Sequence, residues 1–175
     1  MQVNHPYSSG IIFNLKVHPI AVIAHDIRSA HNVGSIFRTA DSAGFSHVYL
    51  TGYTATPKHR GVRKTALGAE NSIPWSAHED LSPLLADLKR QRITVAALER
   101  RDDAVSIKDV KAPAFPLALI LGNEVDGVSE ELLNEVDMVI SLPQYGEKDS
   151  LNVSVAFGIA AYGLVEIFRA QSVLT

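Results

Sequence analysis

Short runs of apolar residues, each of strand length and interleaved with helical periodicities, leave this chain few architectures. Ile20–Ala24 reads IAVIA and Leu117–Leu121 reads LALIL, without one polar side chain, while Val48–Leu50, Ile93–Leu98 and Met138–Leu142 are nearly as apolar. A strand with one wet face alternates polar and apolar residues, whereas a continuous run marks a strand covered on both faces, as in a parallel sheet. Between these runs Val33, Ile36, Phe37 and Ala40 recur at i, i+3, i+4 and i+7, with Gly44 placed to end the helix. Leu81, Leu84, Leu85 and Leu88 form a second stripe within Trp75 to Arg92, a segment that also carries the end of a third strand. The alternation predicts an α/β fold in one domain, with a mostly parallel sheet flanked by helices and a ligand crevice outside the carboxyl ends of the strands.

The stretch from Ser141 to Phe168 is the densest in information. A strand end at Ile140–Leu142 runs into a loop with Pro143 and Gly146, and a polar hinge, Asp149-Ser150, then launches a long apolar helix with Asn152 and Ser154 in its first turn. Asp149 or Ser150 is the expected cap for the free N–H groups at that helix start. Beyond it, Val153, Val155, Ala156, Ile159, Ala160, Gly163, Leu164 and Ile167 are too apolar for a solvent face, so the helix is expected to be buried on most sides. Phe157, Ala161, Val165 and Phe168 on the same helix suggest that a partner surface covers part of it.

Composition bounds the rest. With 175 residues, 46% of them hydrophobic, the chain suits a single domain over 1–175, with 1–18 as an irregular lead-in rich in turn formers. A formal charge of −3 means that any basic surface must be local, and the lack of cysteine excludes disulfides and thiolate zinc sites. No signal-type apolar segment near Met1 and no apolar run of about 18 residues is evident, so the expectation is a cytoplasmic protein without a membrane span.

Three strand exits carry groups suited to a ligand: Leu98-Glu99, Gly122-Asn123-Glu124 and Leu142-Pro143. Glycine there lets backbone approach a ligand closely, which favours a nucleoside pocket. Neither a dinucleotide-binding glycine pattern nor a phosphate-cradling loop is present, and no hydrolase elbow occurs. His25, Asp26 and His31 lack the close grouping of metal ligands, so no metal is expected. Lys58, Arg60, Arg63 and Lys64 place four positive charges within seven residues of what reads as a loop, either a solvated run or a contact for RNA phosphates. Arg38 lies about 140° from Val33 on the helical wheel, on the polar face, where taken alone it reads as a solvated arginine.

Taken together, HNVGSIFRTADSAG, LILGNEVDGVSEELL and ISLPQYGEKDSLNVSVAFGIAAY resemble, in order and spacing, the three motifs of the SpoU (TrmH-like) family of the SPOUT superfamily, over roughly residues 20 to 168. That family comprises RNA ribose 2′-O-methyltransferases that use S-adenosylmethionine. The resemblance implies a catalytic set of Asn32 and Arg38 from the first motif, Glu124 from the second, and Ser150 and Asn152 from the third. It implies a cofactor site lined by Leu98, Gly122, Leu142 and Leu151, and an RNA substrate, transfer RNA first and ribosomal RNA second. A C-terminal deep trefoil knot and a homodimer with active sites drawn from both subunits are implied as well. Arg38 is then expected to stabilise the developing alkoxide or clamp the adjacent phosphate, with Glu124 and Asn152 orienting it and the site loops. Gln144 departs from the apolar residue that many relatives carry after the proline. A catalytically silent RNA-binding relative would be expected to lack the arginine, the acid or the asparagine, and all three are present.

Overall fold

The apolar runs are strands of one sheet. In a computed structural model, which describes residues 17–111, 114–148 and 150–172, the strands are β1 (Ile20–His25), β2 (His47–Thr51), β3 (Trp75–His78), β4 (Thr94–Leu98), β5 (Val105–Ser106), β6 (Leu117–Leu121) and β7 (Met138–Ser141). The helices are α1 (Ala30–Ser42), α2 (Arg60–Ala66), α3 (Leu81–Arg90), α4 (Glu130–Leu133) and α5 (Val153–Ser172). The order across the sheet is β3-β2-β1-β6-β4-β7-β5, and every pairing is parallel. Apart from Val17 and His18, the lead-in lies outside the described residues, as does Asp149.

Both faces of the sheet are covered, which explains the unbroken apolar runs. On β1, Ile20, Val22 and Ala24 join the core beneath α1 and α5, while Ala21 and Ile23 turn to the opposite core beneath α3 and α4. The stripe Val33, Ile36, Phe37 and Ala40 on α1 is buried as expected, as are Leu84, Leu85 and Leu88 on α3, while Leu81 at the start of α3 is only half-buried. Gly44 follows the α1 C-cap with φ +70°, the left-handed conformation that ends a helix there. β5 is a two-residue edge strand too short to leave a pattern.

Two expectations are corrected. The basic stretch is not a loop, because Arg60–Ala66 is helical; His59 caps it, its Nδ1 accepting from the Gly61 N–H at 3.0 Å, and Val62 and Ala66 are buried against α1. Tertiary contact decides this short helix: α1 and α2 pack so closely at Gly34 that an added Cβ would lie 2.0 Å from Thr65 Oγ1 and 2.3 Å from the Val62 carbonyl oxygen. The second correction concerns α5. Phe157, Ala160, Ala161 and Leu164 are buried within the chain, with Phe157 edge-on to Phe45 at 5.4 Å. Val155, Ile159 and Tyr162, at i, i+4 and i+7, are each about half exposed, so the uncovered stripe is not the Phe157–Ala161–Val165 one. Its Val153–Ala170 stretch also has the length and mean hydropathy, 1.5, of a membrane-crossing helix, contrary to the expectation that no such run exists; here its inner face is core.

Candidate active site

The carboxyl ends of the adjacent strands β6, β4 and β7 open into one crevice, the place where a parallel sheet offers a ligand site. Its volume is about 520 Å³, within the range of small-molecule pockets. Three chain segments wall it: Leu98–Arg100 after β4, Leu121–Gly127 after β6, and Leu142 with Ser150–Val153 leading into α5. All four residues expected at a cofactor site, Leu98, Gly122, Leu142 and Leu151, line it, together with Glu124, Ser150, Asn152 and the divergent Gln144.

Each wall is fixed by polar groups that satisfy backbone donors. Gly122 has no room for a side chain, since a Cβ would come within 2.2 Å of the Gly127 carbonyl oxygen where the loop folds back on itself. Asn123 shapes that loop by accepting from the N–H groups of Val125 and Asp126, both at 2.8 Å. Glu99 seals the loop against β4, its carboxylate accepting from the Arg100 and Val128 N–H groups at 2.9 Å each. The sequence marked Glu99 only as part of a strand exit and gave it no role.

The residues matched across the three motifs meet at the rim. Glu124 accepts from the N–H groups of Arg28 at 2.9 Å and Ser29 at 3.1 Å, and from the Asn32 side-chain amide at 2.8 Å. Asn152 donates through Nδ2 to Asn32 Oδ1 at 3.2 Å. Its own Oδ1 accepts from the Ser154 N–H at 3.0 Å and the Ser154 hydroxyl at 2.7 Å. Asn152 therefore caps α5 in place of Ser150, while Asp149, the other expected cap, lies outside the described residues. Partial burial pushes the Glu124 carboxyl upward. The Arg28 N–H, the Asn32 amide and further backbone donors outweigh it, so the net displacement is below the ordinary carboxylate range.

Arg38 is not part of this cluster. It is exposed on α1, six residues past Asn32 and therefore about 9 Å farther along the axis, and it does not line the crevice of its own chain. Glu124 and Asn152 are accordingly bonded to Asn32, to backbone and to the Ser154 hydroxyl, not to Arg38 as expected. Lys58, just before α2, and Arg60 and Lys64 on it are exposed, whereas the Arg63 guanidinium turns back on its own chain, donating to the carbonyls of Pro57 at 2.8 Å and Lys58 at 2.9 Å. His25 is engaged by Thr51, Nδ1 to Oγ1 at 2.9 Å, and among the described residues no group of three or more His, Cys, Asp or Glu is placed to hold a metal.

With this geometry in hand, similarity to known proteins is informative. Residues 19–162 match the SpoU rRNA Methylase family. The 23S rRNA (guanosine-2′-O-)-methyltransferase RlmB of Neisseria meningitidis is 29% identical over 158 residues, covering 89% of this chain and 62% of that protein. The crystal structure of the A. aeolicus TrmH/SpoU tRNA modifying enzyme superposes with a TM-score of 0.79 at 27% identity, over 90% of this chain and 80% of that one. An AdoMet-bound rRNA methyltransferase from Sinorhizobium meliloti superposes with a TM-score of 0.72 at 30% identity, over 85% and 58% of the two chains. The chain spans about three fifths of the length of the curated relatives it matches.

Proposed function

The chain belongs to the SpoU methylase family, and from that membership we propose that it is an S-adenosylmethionine-dependent methyltransferase acting on a ribose 2′-OH of RNA. The observation that carries this reading is the hydrogen-bonded set Asn32, Glu124 and Asn152, one residue from each motif, at the rim of a crevice formed by three parallel strand ends.

The crevice fits the cofactor in shape and charge. Leu98, Leu121, Leu142 and Ala156 offer apolar surface for a flat base, and the glycine backbone at 122 gives close approach. Glu99, Glu124 and Asp126 outnumber Arg100 among its charged lining groups, which suits a ligand bearing a sulfonium and an ammonium. When bound, S-adenosylmethionine supplies an electrophilic methyl group. The chain's contribution is to hold the loops that define where the ribose must sit, since positioning alone contributes several kcal/mol to such a transfer.

Arg38 is the residue we assign to the reacting oxygen or to its neighbouring phosphate. A guanidinium stays charged in proteins, so it stabilises developing negative charge and does not act as the base. Because Arg38 stands away from the crevice of its own chain, and because Val155, Ile159 and Tyr162 leave an apolar stripe uncovered on α5, we further propose a homodimer in which the partner supplies this arginine. A knotted C-terminus is part of the same proposal, supported by the way Leu142, Gln144 and Ser150–Val153 share the crevice with the two earlier loops. Transfer RNA and ribosomal RNA both appear in the names of relatives, and the cytoplasm, where such RNA resides, is the proposed location.

The test is methyl transfer from radiolabelled S-adenosylmethionine to unmodified tRNA and to 23S rRNA fragments, followed by nuclease digestion to identify 2′-O-methylated nucleosides. S-adenosylhomocysteine, but not ATP or NAD, should raise the melting temperature. Methylation confined to a base, or no transfer to either RNA despite cofactor binding, would overturn the reading.

A further inference from the structure

Tyr53 is displayed to solvent by a turn that is otherwise locked. The residue is 60% exposed, yet its backbone N–H donates to Asp26 Oδ1 at 3.0 Å. The next residue, Thr54, is buried, its hydroxyl donating to the Ala24 carbonyl at 2.9 Å and accepting from the Ile27 N–H at 3.0 Å. The preceding Thr51 is fully buried at the end of β2. Folding has thus fixed the base of an aromatic ring while leaving the ring wet. A side chain with only two torsions on such a base loses little entropy when a flat partner covers it.

The ring's neighbourhood says what that partner is. The turn that holds Tyr53 through Asp26 is the one that holds Glu124 through the Arg28 and Ser29 N–H groups, so Tyr53 stands beside the rim of the crevice. Its phenol feels the carboxylates of Asp26, Glu124 and Asp126 and the Arg28 guanidinium. In the other direction the same loop runs within a few residues to exposed Lys58 and to exposed Arg60 and Lys64 on α2. An exposed aromatic and an exposed arginine thus stand on the segments that meet at the crevice rim, and the loop after the aromatic leads on to a basic helix. Presenting a ribose to a protein crevice pulls its nucleotide out of a stack, and unstacked bases in protein–RNA complexes are typically received on aromatic rings, with cations on the adjoining phosphates.

Building on the function proposed above, we propose that Tyr53 is a stacking platform for an unpaired base of the substrate RNA next to the methylated nucleotide, with Arg28 beside it on the backbone phosphate. Tyr53 is then a positioning residue for substrate and takes no part in holding the cofactor. The phenolic hydroxyl is dispensable and the ring face is essential.

The experiment compares Tyr53→Phe, Tyr53→Trp and Tyr53→Ala with the wild type in steady-state methylation of the RNA that the wild type modifies. Phe and Trp should keep KM for RNA within about twofold. Ala should raise it about tenfold or more, outweighing any fall in kcat, with S-adenosylhomocysteine affinity and melting temperature unchanged. In parallel, the fluorescence of Tyr53→Trp, measured against the Trp75 background of the wild type, should be quenched by single-stranded oligonucleotide RNA. If no RNA is methylated by the wild type, the proposed function fails, and the quenching still decides on the platform. Equal KM for Ala and wild type, or no additional quenching in Tyr53→Trp, overturns the platform.

Discussion

Asn32 and Asn152, 120 positions apart in the sequence, share a hydrogen bond of 3.2 Å that ties the first turn of α1 to the cap of α5. The bond joins the first and last motifs, and Glu124 of the second motif joins it by accepting from the other end of the Asn32 side chain. Each asparagine thus uses both its amide donor and its amide acceptor, the Asn152 oxygen accepting twice, so neither is replaceable by a residue with one function alone. Asn152 is doubly committed, because its oxygen also caps α5.

Glu124 is the hub, and its removal should be visible as a pH-dependent loss. Replacing it by Gln puts an NH₂ group among the N–H donors of Arg28, Ser29 and Asn32, and should cost on the order of 1 kcal/mol, reduced from a buried value because the residue is exposed. A carboxyl held below its ordinary value contributes stability that is complete above about pH 4.3 and is lost as pH falls through the lower folded value. Melting curves of wild type and Glu124→Gln should therefore differ at pH 7 and converge in acid. A gap that widened as pH fell would contradict the assignment.

The same substitution at two glycines should have opposite signs. At Gly34 a Cβ meets Thr65 Oγ1 at 2.0 Å and backbone atoms of α2 at 2.3 and 2.9 Å, so Gly34→Ala must push the two helices apart and should cost about 2 kcal/mol or more. At Gly158, inside α5, a Cβ meets nothing within 4 Å, and Gly158→Ala should gain roughly 0.5–1 kcal/mol from helix propensity. Chemical denaturation of the two variants measures both.

The cations of the α2 region should separate into two kinds. Arg60→Ala and Lys64→Ala remove exposed charge from a helix whose buried residues are Val62 and Ala66, and should weaken RNA binding and flatten its salt dependence with stability within about 0.5 kcal/mol of wild type. Arg63→Ala also removes two hydrogen bonds to the Pro57 and Lys58 carbonyls, and should lower the melting temperature by several degrees. Filter binding at several salt concentrations, alongside thermal melts, distinguishes the two. Equal melting temperatures for all three variants would show that the Arg63 contacts contribute nothing.

Much of this was legible in the chain because the sheet is covered by apolar packing on both faces. Runs such as Ile20–Ala24 can only be strands covered twice, and the strand exits at Leu98, Gly122 and Leu142 converge because parallel strands put their carboxyl ends on one side. What stayed hidden is what tertiary contact decides. α2 has seven residues, an unusual histidine cap and a charged composition, and becomes a helix through its contact with α1 at Gly34. On α5 every face is apolar, so periodicity could not tell the buried Phe157 from the uncovered Ile159. Asn152 became the cap because its side chain lies between Asn32 and Ser154, a relation across 120 residues that no local pattern carries.

The last prediction concerns Arg38, which sits on the solvent face of a helix whose other side is core, and outside the crevice that its own chain forms. Arg38→Ala should keep the melting temperature to within a few degrees and leave S-adenosylhomocysteine affinity unchanged, since surface substitutions rarely cost more than about 0.5 kcal/mol. Methyl transfer should fall by on the order of a hundredfold or more, the usual cost of removing a charge aimed at a developing oxyanion. Arg38→Lys should restore little, because an ammonium lacks the planar two-pronged geometry. If the partner supplies this arginine, complementation follows from symmetry. Gly122→Val has Arg38 but a displaced crevice wall, because its Cβ would collide with the Gly127 and Val128 backbone, and Arg38→Ala has an intact crevice but no arginine. In a mixed dimer the intact crevice faces the intact arginine, so an equimolar mixture allowed to exchange subunits should recover about a quarter of the wild-type rate from two inactive parents. An arginine acting within its own chain would give no recovery at all, and that result would remove Arg38 from the shared site.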